Sequence, residues 1–65
     1  MSEQEARKWR EYDMVAEFVA RRGTSSIRLP ENVAADVAAE IDADTEAFVR
    51  RVRETRYALA RDGKL

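Results

Sequence analysis

Val33-Ala34-Ala35-Asp36-Val37-Ala38-Ala39-Glu40-Ile41-Asp42-Ala43-Asp44-Thr45-Glu46-Ala47-Phe48-Val49-Arg50-Arg51-Val52 is the stretch that decides the fold. Val33, Val37, Ala38 and Ile41 recur at helical spacing and line one face of a short alanine-rich helix. Asp42-Ala43-Asp44-Thr45 then breaks it, and a new helix opens at Glu46-Ala47-Phe48-Val49 carrying Arg50, Arg51, Arg53 and Arg56. Two helices joined by a tight turn, the first small-sided and acidic, the second basic, form the kernel from which the rest of the chain is read.

Upstream, Trp9, Tyr12, Val15, Ala16 and Val19 fall on one stripe at helical spacing from about Glu3 to Arg22, with Gly23 where a helix C-cap belongs. Met14 and Phe18 lie on a second stripe, so the apolar sector is wider than one packing contact needs. One stripe suits the domain's own core and the other a second subunit. Glu17 and Arg21 make an ordinary i, i+4 pair on the polar side. In residues 24–29, Ile27 and Leu29 alternate with Ser26 and Arg28, the period of a strand. Pro30 cannot extend a central strand but suits the first turn of a helix. The expectation is therefore a mainly α chain with helices over about 3–22, 30–41 and 44–61 and one short extended segment over 24–29. Asp44 or Thr45 is the N-cap of the last helix and Gly63 its terminator. In that helix Phe48, Val52, Thr55 and Leu59 share the core face, opposite Arg50, Arg53, Tyr57 and Arg61.

At 65 residues the chain is read as one domain, 1–65. A fold of this size buries only about 60% of the surface its unfolded chain exposes. With no cysteine and no histidine, disulfide staples and the usual zinc ligand sets are excluded, and no metal or cofactor is expected. Association with a second copy or a partner is the remaining route to stability. No run approaches the roughly 20 apolar residues needed to span a bilayer, and no secretory segment is legible, which predicts a cytoplasmic protein without a membrane partner. The formal charge of -1 hides an uneven distribution. Residues 30–43 carry Glu31, Asp36, Glu40 and Asp42 and no basic group, whereas residues 44–65 carry six basic groups against four acidic.

The pair over Val33 to Val52 resembles the helix-turn-helix families of transcription regulators. The likeness rests on Ala38 where two helices must touch, Ile41 before the turn, Ala43 inside it, and Phe48 and Val52 returning to the core. The resemblance implies that the second helix of the pair enters the major groove of double-stranded DNA by its N-terminal residues. Thr45, Glu46, Val49 and Arg50 then face the base edges. Ser26-Ile27-Arg28-Leu29-Pro30-Glu31, followed by two helices, resembles instead the ribbon-helix-helix regulators and antitoxins. That resemblance implies an intertwined homodimer whose paired strands read DNA with Thr24, Ser26 and Arg28.

Arg50, Arg51, Arg53 and Arg56 suit phosphate or guanine under either reading. The plainer alternative is a solvated face, or pairing with Asp36 and Glu40 on the neighbouring helix. Trp9, Tyr12 and Phe18 fall on packing stripes and, with Met14, are expected in the core or in an oligomer or partner interface. Without His, Cys or a Gly-rich phosphate loop, and on so small a scaffold, an enzyme is not expected. A small regulator binding DNA as a homodimer is the leading expectation. A helical adaptor docking on a larger protein through its first helix is the rival.

Overall fold

The structure, a computed structural model, describes residues 2–23 and 29–65. Helix α1 is Glu3–Arg22, α2 is Ala35–Ala43 and α3 is Thr45–Arg61, so the fold is mainly α, and no strand occurs among the described residues. Each helix end is accounted for by local chemistry. The Ser2 hydroxyl accepts from the Glu5 amide at 3.2 Å, Glu3 and Glu5 occupy the first turn, and Arg21 and Arg22 the last, complementing the helix dipole. At the end of α3, Gly63 takes φ +74, which lets the Lys64 amide reach the Leu59 carbonyl at 2.8 Å and the Gly63 amide the Ala60 carbonyl at 3.1 Å. This double bond is the Schellman stop, and glycine is the residue that adopts it without strain.

A single residue separates α2 from α3. The Asp44 amide closes α2 on the Glu40 carbonyl, and its carboxylate accepts from the Ala47 amide at 3.1 Å to open α3. The Thr45 hydroxyl donates to the Ile41 carbonyl at 3.2 Å, satisfying an acceptor the end of α2 would otherwise leave free.

The start of α2 differs from the expected position near Pro30. Glu31 and Asn32 form a turn, Ala34 is extended at φ -62, ψ 147, and the helix begins only at Ala35. The fixed φ of Pro30 fits a turn as well as a helix, and an extended path lays Val33 and Ala34 directly onto the core. The predicted segment 24–29 falls, apart from Leu29, outside the described residues.

The core takes Val15, Ala16, Val19 and Ala20 from α1, Val37 and Ile41 from α2, and Phe48, Val52 and Leu59 from α3. The largest packing contact joins α1 to α3, with α2 laid against both. Ala16 and Ala20, both fully buried, are the small residues at the close approach, whereas Ala38, to which the sequence reading gave that part, is only half-buried. Phe48 is the largest fully buried side chain and meets the Tyr12 ring edge-on at 5.5 Å. A Phe48→Ala change should cost about 3–5 kcal/mol, a large share of what so small a domain has to lose. Urea unfolding followed by circular dichroism should show the cooperative transition lost or moved close to zero denaturant; a midpoint near the wild-type value would refute this core.

Candidate nucleic-acid interface

Phe48 and Val52 turn inward, so the residues offset from them along α3 must face solvent. Thr45, Glu46, Val49, Arg50 and Arg53 line one open depression of about 410 Å3 on that face. Four of the five are exposed, and Val49 is half-buried at its floor. These are the positions that the helix-turn-helix likeness assigns to base edges, with Arg53 added one turn on. The Thr45 proton is already committed to Ile41, which leaves its oxygen as an acceptor. Among the described residues Arg50 and Arg53 pair with no carboxylate. Tyr57, 72% exposed, continues the same face beyond them.

The other arginines have different fates. Arg51 leaves this face for α1, where its Nη2 and Nε donate to Asp13 Oδ1 at 2.8 and 3.1 Å. Both partners stay about half exposed, so the pair adds little stability. Arg56 buries part of its stem and donates to the Ala20 carbonyl, an acceptor at the C-terminal end of α1. A cation there also meets the negative end of the helix dipole. The alternative pairing of these arginines with Asp36 or Glu40 is not seen within the chain among the described residues, where Lys8 takes Glu40 Oε1 at 2.7 Å. Sequence reasoning missed the Lys8 and Arg56 contacts. The one signal for Arg56 was its position at the rim of the core stripe. Ser26 and Arg28, the ribbon readers, lie outside the described residues.

The aromatic and apolar set divides. Tyr12 is half-buried between Phe48 and the edge of Trp9, whose ring centroid is 5.3 Å away, so Tyr12 belongs to the domain's own packing, whereas Trp9 stays 41% exposed. Met14 and Phe18 point away, 67% and 38% exposed. Among the described residues no helix is long and apolar enough to cross a membrane. In comparison with known proteins, the chain matches no family model, no curated sequence and no solved structure.

Two groups of α1, away from this face, titrate off their ordinary values. The hydrogen bond to Glu40 holds the Lys8 proton and raises its pKa above 10.5, against a smaller lowering by desolvation. Burial raises Tyr12 above 10.0, helped by Asp44 and opposed by Arg51. In both cases the folded state holds its proton more tightly than the unfolded chain, so the stabilisation is complete below the ordinary pKa and disappears as pH rises through the raised one. Stability should therefore fall above about pH 10, and Lys8→Met and Tyr12→Phe should each flatten that fall. Urea midpoints measured across the alkaline range check this; unchanged profiles in both variants would remove the assignment. Arg56→Ala should lower stability at neutral pH by about 1–2 kcal/mol, read in the same assay.

Proposed function

We propose that this chain is a small DNA-binding protein of the transcription-regulator kind that presents the N-terminal half of α3 to the major groove. The observation that carries the reading is the single depression lined by Thr45, Glu46, Val49, Arg50 and Arg53, with two arginines free of carboxylate partners among the described residues. The chemistry of these side chains matches what base edges offer. Arginine is the bidentate partner of guanine, a glutamate accepts from the cytosine amino group, and the Val49 methyls suit the thymine methyl. Tyr57 and Arg61 follow on the outward face, where sugar and phosphate contacts fix register.

The electrostatics set the expected strength. Asp42, Asp44 and Glu46 stand at the same end of α3 as the depression, and all three are exposed. They repel phosphate, so affinity rests on a few arginine contacts, each of which adds about 0.9 to the salt slope where it meets a phosphate. The ribbon reading draws its DNA contacts from Thr24, Ser26 and Arg28, which lie outside the described residues.

Fluorescence anisotropy on duplexes selected from fragments of the source genome, at low and near-physiological salt, tests this. Arg50→Ala should cost about 1–3 kcal/mol of discrimination at one base pair. Arg53→Ala should reduce the slope of log affinity against log salt by about 0.9 if it contacts one phosphate. Arg51→Ala, which loses only the Asp13 pair, should change neither by much. Binding abolished by Arg28→Ala and untouched by Arg50→Ala would transfer the function to the ribbon, and the absence of any salt-dependent binding would end the DNA reading altogether.

A further inference from the structure

Two surfaces outside the α3 depression fit one another and not themselves. On α1, Met14 and Phe18 stand exposed around an open groove of about 310 Å3 that Glu11 also lines and that Pro30 and Val33 close on one side. A second depression of about 530 Å3 continues from Met14 past Arg7 and Arg10 to Ala34, the residue that opens α2. Arg7 and Arg10 have no carboxylate partner among the described residues, and the Arg22 guanidinium lies 5.2 Å over the Phe18 ring. This face is bulky and apolar at its centre, and carries Arg7, Arg10 and Arg22 against one carboxylate, Glu11, which lines both depressions. The outward face of α2 is its converse: Ala35, Ala39 and Ala43 leave it flat, Asp36 and Asp42 stand exposed on it, and residues 30–43 hold no basic group. Glu40, the remaining acid of α2, is already taken by Lys8.

We propose that this side of the molecule is a self-association surface, in which the α1 face of one copy meets the α2 face of a second copy across a two-fold axis. The two faces adjoin through the depression that ends at Ala34, so one two-fold rotation creates two identical α1-to-α2 junctions, the requirement of a closed dimer. Direct pairing of α1 with α1 gains less from charge, because Glu11 is the one carboxylate lining this face and Glu17 is already paired with Arg21. In the antiparallel sense it brings Arg7 and Arg10 towards Arg21 and Arg22 of the other copy, and in the parallel sense it sets each arginine against its own copy. The α2 face offers carboxylates instead, and small side chains that admit Met14 and Phe18. The core, nine buried apolar residues among those described, gains from the added burial. The proposal stands apart from the DNA reading and is tested without nucleic acid.

Sedimentation velocity across the micromolar range, on four forms of the full chain, decides it: wild type, Arg7→Glu with Arg10→Glu, Asp36→Arg with Asp42→Arg, and an equimolar mixture of the two double variants. All these positions are exposed, and circular dichroism verifies that each variant stays folded. The wild type should sediment as a dimer that weakens with salt. Each double variant alone should be monomeric, because both of its junctions set like charges together. The mixture should recover the dimer, because both junctions of the mixed pair are again complementary. A wild type that stays monomeric overturns the proposal and leaves the groove to a different protein. A dimer indifferent to both double variants, or double variants that fail to rescue one another, overturns it as well.

Discussion

The burial of Phe48 is the constraint on which the rest depends. Its ring is 1% exposed and wedged against Tyr12 of α1, four residues after Asp44 opens the helix. Val52 repeats the contact one turn later, and the two together fix the rotation of α3 about its own axis. A helix so fixed has no choice about its other side: Glu46, Arg50, Arg53 and Tyr57 must look outward. Turning α3 by one residue, about 100°, would bring Phe48 towards water and carry a charged face to the core. The candidate interface is thus the reverse side of the packing.

The junction at Asp44 adds a second constraint, on position along the axis. One residue carries both the last amide bond of α2 and the side-chain cap of α3, and Thr45 ties back to Ile41. Such a junction has no loop to absorb motion, so α2 and the first turn of α3 must move together or break these bonds. Rigidity of this kind suits a recognition surface, which loses less entropy when its side chains are already carried on a fixed element. The same carboxylate has an electrostatic cost, since it adds negative charge at the end of α3 where the depression lies and helps to raise the Tyr12 pKa.

The two long helices were legible in the sequence because their apolar residues recur without interruption and their ends carry recognised stop signals. Gly23 and Gly63 end α1 and α3 in the structure as the pattern predicts, and Asp44 caps α3. The start of α2 was not legible. Proline at a first turn and proline in a surface turn read alike from sequence, and only the burial of Val33 and Ala34 against the core separates them. The division of the arginines was hidden for a similar reason. Arg50 and Arg51 are neighbours of the same type, yet Arg51 finds Asp13, 38 positions away in sequence, while Arg50 faces solvent. Helical periodicity assigns the face, but the partner depends on how α1 lies against α3.

Net charge is a poor guide to this molecule, because pairing removes some charges and leaves the others unevenly distributed. Lys8, Arg21 and Arg51 are matched with Glu40, Glu17 and Asp13, and Arg56 is spent on a backbone carbonyl. Arg50 and Arg53 then remain on α3, Arg7 and Arg10 on α1, and Asp36 and Asp42 on α2, as three separate faces of unbalanced sign. The acidic face is the one that opposes a polyanion. A second copy whose α1 arginines covered Asp36 and Asp42 would remove part of that opposition, Asp44 and Glu46 remaining, while leaving Arg50 and Arg53 open. The proposed self-association and the proposed DNA binding would then be thermodynamically linked: whatever repulsion the dimer removed from the bound state would reappear as tighter dimerisation on DNA than in free solution.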